Sequence, residues 1–383
     1  MKVFIVDGLR TPVGKTKGAL KSFLPEELGG MVLKGLLKKQ SLPTKTIDML
    51  IMANAVGPGG NLARLSLLEA NFPVSIPAIT IDNQCGGGLS SINLAASLIE
   101  SQQCHMIVAG GMESTSLAPK KQFHPMDPRF EGEDKYFERA PFSPEKIGDP
   151  GMIEGAEATA KLMKISREEM DRWTLESHRR AFEATVSGVL KEYILPVETS
   201  KGVINRDEGI RSKMSIKLLD RMPSLLEKGN ITAGNACLTH DGAAVVLLAS
   251  ETAVKNYGLQ PKAQFIKGLH RGGDPNYPPL APIETIKSLL TQLTLSIEDI
   301  DAVEINEAFA VKILACCQEL NISLNKVNIL GGALAYGHPY GASGAMILLH
   351  LMKVLELTKK NRGLAALGIG GGQGVAAIIE MCR

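Results

Sequence analysis

The chain has 383 residues, of which 44% are hydrophobic and 21% charged, a globular composition with enough length for a large core and two or three domains. A formal net charge of +2 gives no electrostatic case for nucleic acid, and no uninterrupted apolar run reaches the ~18 residues expected of a membrane span. Six cysteines without regular spacing suggest neither a disulfide framework nor a zinc site, so no metal is expected and the chain reads as cytoplasmic with reduced thiols.

In chain order, Val3–Val6, Met49–Ala53 and His105–Ala109 read as strands, with helices over Leu28–Lys38 and Leu62–Ala70. The Val3–Val6 run stops at Asp7, too short for a signal-peptide core. Between about residues 118 and 235 charge rises and apolar periodicity weakens. One helix is clear there, opened by the capping box Ser166-Arg-Glu-Glu169 and running to about Thr185. This stretch reads as an inserted, loop-rich segment whose Trp173 packs on something. From Asp241 the α/β texture returns. Strands are expected at Ala243–Ala249, Ala302–Ile305 and Gly363–Ile369, and helices at Ile283–Leu293, Val311–Leu320 and Ala345–Leu355. Both halves of the chain show a Gly-rich helix start, a helix, a strand and a Gly cluster (Gly86–Gly88 to Gly110-Gly111; Gly341–Gly344 to Gly370–Gly372). Two similar halves back to back would bring those helix starts together.

Cys85 heads one of these starts, after the apolar stretch Pro77–Asp82 and before Leu89, Ile92, Ala96 and Ile99 at helical spacing. A thiol at a strand-to-helix turn sees free backbone N–H groups and the positive helix end, which favour thiolate. The alternative is a buried structural cysteine. His338 lies in a stretch with five glycines, Gly331 to Gly344, where an ordered imidazole could act as base for a cysteine nucleophile; otherwise it is a plain loop histidine. Asn306 ends a strand and could hold a water or an oxyanion, or cap the next helix. Gly368–Gly374 could offer N–H groups to an oxyanion or be a tight connection. Gly8–Thr16 imitates a phosphate-binding loop, but five residues separate its glycines where four are needed, and Pro12 lacks an N–H.

Together, Arg10-Thr-Pro-Val-Gly14, Cys85-Gly-Gly-Gly88, Gly110-Gly-Met-Glu-Ser114, Thr232-Ala-Gly-Asn-Ala236, Asp241-Gly-Ala243, Asn306-Glu-Ala-Phe309, Gly337-His-Pro-Tyr-Gly341 and Gly370-Gly-Gly-Gln-Gly374 resemble the thiolase family, in family order over nearly the whole chain. The resemblance implies a thiolase-like α/β fold: two similar βαβαβαββ halves in αβαβα layering with an inserted loop domain. The expected division is 1–117 plus 236–265 for the N-terminal half, 118–235 for the insertion and 266–383 for the C-terminal half. It implies an acyl-CoA C-acyltransferase, acetyl-CoA acetyltransferase or 3-ketoacyl-CoA thiolase-like, of fatty acid metabolism, working as a homodimer or homotetramer. Coenzyme A thioester is the substrate, no bound cofactor is expected, and neither nucleic acid nor membrane is a partner. Cys85 would carry the acyl group, His338 would activate it and line an oxyanion hole, and Asn306 would hold a water there. The backbone N–H groups of Cys85 and Gly370 would form a second hole.

The sequence departs from the family where a second cysteine normally moves the proton beside the thioester: Gly368 stands there. Side-chain acid/base catalysis is worth roughly 10²–10⁴ in rate, so carbon–carbon chemistry is expected to suffer unless another group steps in. Cys382 is too far along the chain to be the expected substitute. Alternatives are a hydrolase or acyl transferase without carbon–carbon chemistry, or a non-catalytic coenzyme A-binding assembly subunit. Cys237 replaces a serine near the pantetheine, and Arg221 and Lys228 lie where relatives meet the nucleotide end of coenzyme A; exposed, solvated side chains are the alternative reading for the latter two.

Overall fold

A computed structural model describes residues 1–382. The first part comprises β1 (Val3–Arg10), β2 (Gly14–Lys15), α1 (Pro25–Lys39), β3 (Met49–Ala53), α2 (Leu62–Glu69), β4 (Ala78–Ile81), α3 (Gly87–Glu100) and β5 (Met106–Glu113). The excursion holds α4 (Met152–Met163), α5 (Arg167–Ser187), the hairpin β6 (Val197–Thr199) and β7 (Gly202–Ile204), and α6 (Ile216–Leu219). Then follow β8 (His240–Ser250), α7 (Glu251–Tyr257), β9 (Ala263–Gly272), α8 (Ala281–Gln292), β10 (Ala302–Ile305), α9 (Ala310–Leu320), α10 (Ala333–Tyr336), α11 (Tyr340–Thr358), β11 (Arg362–Ile369) and β12 (Gln373–Met381). The sequence reading places nothing at α4, β9 or β12. In β12 the run Val375–Ile379 is buried on both faces, so it shows no polar alternation to mark it as a strand.

Strand pairing displays the duplication. In the first half β3 pairs in parallel with β4 and β5, and β5, β8 and β1 continue antiparallel. In the second β10 pairs in parallel with β11, and β11, β12 and β9 continue antiparallel. A single parallel bridge from Val303 to Val327 takes the place that β4 has in the first half. β1 also pairs with β9, Val3 opposite Phe265, which joins the halves into one ten-stranded sheet.

Alternate residues of each strand feed different cores, because successive side chains point to opposite faces. Ile107 and Ala109 of β5, Val246 and Leu248 of β8, Leu367 and Ile369 of β11, and Val375 and Ala377 of β12 pack on α3 and α11 in the central core. Val108, Val245 and Leu247 face α1 and α2 instead, and Leu364, Ala366, Ala376 and Ile378 face α8 and α9. The result is the five-layer αβαβα arrangement, with α3 and α11 in the middle.

α11 is long and apolar enough to cross a membrane by length and composition, although its sequence holds charges. Of its apolar window 83% is buried inside the protein, between the two halves of the large sheet. The insertion is tied down at two buried points. Arg10 makes a bidentate pair with Asp207 at 2.7 and 2.8 Å. Trp173 Nε1 and Ser177 Oγ of α5 donate to the Glu307 carboxylate at 3.0 and 2.7 Å. The Ser166–Glu169 capping box opens α5 as expected.

Candidate active site

Cys85 sits in a single 3-10 turn, Gln84–Gly86, between β4 and α3. The turn is held by local bonds: Asp82 Oδ1 accepts from the Gln84 N–H at 2.9 Å, and the Gly86 N–H donates to the Asn83 carbonyl. Gln84 has φ +46°, a conformation uncommon for a residue with a side chain. Asn83 Nδ2 donates to Ser90 Oγ at 2.8 Å, and Ser90 meets His270 Nε2 at 2.9 Å, so the approach to the thiol is buttressed by β9.

The expected thiolate is corrected by the structure. Burial pushes the Cys85 thiol up to about 11, and the Lys312 charge and its own backbone N–H offset this only in part. Desolvation disfavours the charged form more than the helix end favours it. The resting nucleophile is a thiol and needs a base.

His338 precedes α11 as Cys85 precedes α3. The two helix starts touch through backbone: a Cβ on Gly88 would lie 2.6 Å from the Gly341 carbonyl, and one on Gly344 would lie 2.1 Å from the Leu89 nitrogen. Only residues without a Cβ permit that approach, and it brings the two halves' chemistry together. His338 Nδ1 and Ser343 Oγ are 2.6 Å apart, and Ser343 Oγ donates to the Pro339 carbonyl. Ser343 therefore accepts from Nδ1–H, which leaves Nε2 with its lone pair. Asn306, just past β10, meets that Nε2 at 3.2 Å through Nδ2. Asn306 Oδ1 is buried without a partner among the described residues. Burial first, then Lys312 and His240, hold the imidazole down to about 3, so it is neutral at rest.

Lys312 completes the cluster, and the sequence reading missed it. It lies in the first turn of α9, 2% exposed. Its charge neighbours are Cys85, Cys316 and Cys237, with no carboxylate among them, and burial lowers its basicity. A signal existed: Lys312 shares the stripe of Cys316 and Leu320 on α9, at the i, i+4, i+8 spacing of a buried face. Gly368, in β11, faces the same spot. A Cβ there would stand 3.2 Å from Lys312 Nζ, 3.2 Å from the Pro282 ring and 2.9 Å from the Pro278 carbonyl.

Cys237 donates its N–H to the Ala308 carbonyl at 2.9 Å. Its thiol is pushed up to about 12 by burial first and then by Cys85, so it belongs to the same cluster. Its neighbours Ala236 and Leu238 line a cleft with Lys15, Arg211, His178 and His240. Arg221 and Lys228 are exposed on the inserted segment. Gly370 packs against Gln84 and Phe142 in the β11–β12 connection, whose next two residues, Gly371 and Gly372, have φ +77° and +75°. The glycine run is therefore a hairpin turn set beside the Cys85 turn.

The model of the thiolase N-terminal domain matches residues 3–252 and that of the thiolase C-terminal domain residues 259–381. The chain belongs to the thiolase family. It is an acyltransferase, acetyl-CoA acetyltransferase or 3-ketoacyl-CoA thiolase-like. A Staphylococcus aureus protein named, provisionally, acetyl-CoA C-acetyltransferase VraB is 39% identical over 374 residues, 98% of both chains. Its Staphylococcus epidermidis counterpart is 40% identical over 376 residues, 98% of this chain and 97% of that one. Among solved structures, Bacillus anthracis acetyl-CoA acetyltransferase superposes with a TM-score of 0.92 at 33% identity, covering 100% of this chain and 99% of that one. Human mitochondrial 3-ketoacyl-CoA thiolase in complex with CoA matches with the same TM-score and identity over 100% and 98%. This thiolase therefore keeps the fold end to end while carrying Gly368 and Lys312 at its centre.

Proposed function

We propose that the protein moves acyl groups between coenzyme A thioesters through an acyl-thioester on Cys85. His338 Nε2 takes the thiol proton as the sulfur attacks and then, with Asn306, donates toward the thioester oxygen. The N–H groups of Cys85 and Gly370 serve the second oxyanion. The observation that carries this reading is the convergence of the two helix starts, with His338 held as a neutral base by Ser343 and bonded to Asn306. Resting thiol and imidazole are both uncharged, so the proton leaves Cys85 as negative charge develops on a carbonyl oxygen that those donors receive.

Coenzyme A is read into the cleft beside Cys237, where Lys15 and Arg211 supply positive charge; Arg221 and Lys228 meet the nucleotide end from the exposed surface. We read residues 1–117 with 236–265, 118–235 and 266–383 as the working divisions, a cytoplasmic setting from the six free cysteines, and a role in fatty acid metabolism. A homodimer or homotetramer is favoured by β4, which ends the sheet with a free edge and an exposed Ile79. Gly368 favours a second reading, in which acyl transfer or hydrolysis survives and carbon–carbon chemistry is lost.

The test is intact-protein and peptide mass spectrometry after mixing with acetyl-CoA, and separately with acetoacetyl-CoA plus coenzyme A, with products quantified. Acetyl on Cys85 together with acetyl-CoA formed from acetoacetyl-CoA supports the first reading. Acetyl on Cys85 with free acid alone selects the second. Acetylation that persists in Cys85→Ala refutes both.

A further inference from the structure

The side chain missing at Gly368 leaves a slot, and the slot is filled. The Lys312 amine reaches it from the opposite wall, 3.2 Å from where the first side-chain atom of residue 368 would stand. We propose that Lys312 is the acid/base for the carbon–carbon step, delivering and removing the proton at the carbon beside the thioester. This rests on the acyl-Cys85 reading above.

Three further observations support it. Lys312 is 2% exposed, and an ammonium taken out of water without a carboxylate beside it is destabilising, a poor choice for packing alone. Its neighbours are the nucleophile Cys85 together with Cys237 and Cys316, which places the amine in the reaction cluster. Burial without an acidic partner also lowers its pKa, the direction that makes the neutral amine easier to reach and the ammonium a readier proton donor.

The chemistry balances with no further reactant. In cleavage, His338 takes the Cys85 proton and the sulfur adds to the keto carbon of a 3-ketoacyl-CoA. The bond from that carbon to the α-carbon breaks, and its electron pair passes to the α-carbon. The Lys312 ammonium protonates that carbon, releasing acetyl-CoA and leaving acyl-Cys85 with a neutral amine. The amine then takes the proton of incoming coenzyme A thiol, whose thiolate attacks acyl-Cys85. Cys85 departs as thiolate and recovers its proton from His338, while Lys312 is again an ammonium. Run backward, the neutral amine removes a methyl proton from acetyl-CoA, and the carbanion attacks acetyl-Cys85.

The proton step can be observed alone. Wild type, Lys312→Met and Lys312→Ala are incubated with acetyl-CoA in deuterium oxide, following deuterium in the methyl group and acetyl on Cys85. Wild type is expected to acetylate Cys85 and exchange the methyl protons. Both variants should lose about 10²–10⁴-fold of the exchange while acetyl still forms on Cys85. Added methylamine should restore exchange in Lys312→Ala, where the slot is open, and not in Lys312→Met, where the side chain fills it. Exchange at the wild-type rate in either variant overturns the proposal. So does loss in Lys312→Ala that no amine rescues, or a wild type that acetylates Cys85 without exchanging. A wild type that never acetylates Cys85 instead overturns the underlying reading.

Discussion

Replacing Gly344 by alanine tests how the two halves share one site. The new Cβ would lie 2.1 Å from the Leu89 nitrogen, with the Gly88 carbonyl carbon and Leu89 Cα at 2.8 and 2.9 Å. All three are backbone atoms at the start of α3, so no rotamer change relieves the clash. To reach ordinary contact at 3.4 Å, the helices must separate by about 1.3 Å. Overpacking of this kind costs ~1–3 kcal/mol. The same movement carries His338 away from Cys85, and about 1 Å of misplacement costs on the order of 10²-fold in rate. The variant should therefore show a lower urea midpoint and, in its folded fraction, thiolysis of acetoacetyl-CoA slowed about a hundredfold. Gly272→Ala, whose Cβ meets nothing within 4 Å, is the control. A Gly344→Ala protein with wild-type midpoint and turnover would refute the claim that the helix starts meet through backbone.

Alkylation of Cys85 should report its buried thiol. With the group near 11, about one molecule in ten thousand is thiolate at pH 7, and peptide-resolved iodoacetamide labelling should rise about tenfold per pH unit from 7 to 9; a plateau below pH 9 contradicts this. Glu113 accepts from Asn54 Nδ2 and from the backbone N–H groups of Ala55, Val56 and Gly341, so Glu113→Gln should lower stability by about 2–4 kcal/mol, since its amide faces donors. Burial, against those N–H bonds, raises this carboxyl to about 7 from 4.5, and the folded state therefore holds the proton more tightly. Its contribution is full below about pH 4.5 and is lost as pH rises through 7. The stability gap between wild type and Glu113→Gln should thus shrink by about 2–3 kcal/mol between pH 4.5 and 8; denaturant midpoints that show it growing would contradict the assignment.

Local patterning carried much of this fold. β3 and β10 lie at their expected bounds, because short apolar runs between turn residues have few other uses. The duplication was legible because glycine clusters recur at corresponding places, and the structure turns those glycines into the α3–α11 contact. β12 was not legible, since burial on both faces erases alternation. At the site, Cys85, His338 and Asn306 stand on turns that local sequence marks. Lys312 does not. A lysine in a helix is ordinarily solvated, and what buries this one is the meeting of α9 with Gly368 and Pro278, residues brought together only by the sheet. The thiol's protonation was misread for a related reason: a helix end is visible in sequence, whereas the desolvation that outweighs it is a property of the assembled layers.

The place of β1 constrains how the molecule can be made. Its two neighbours in the sheet are β8, beginning at His240, and β9, ending at Gly272. During synthesis at ~5–20 residues per second, the strand that fastens one half to the other waits on the order of ten seconds or more with both edges unpaired. Throughout that interval the nascent chain offers a ready template for wrong pairing, so yield in the cell should depend on translation speed and chaperone supply more than the stability of the finished protein suggests.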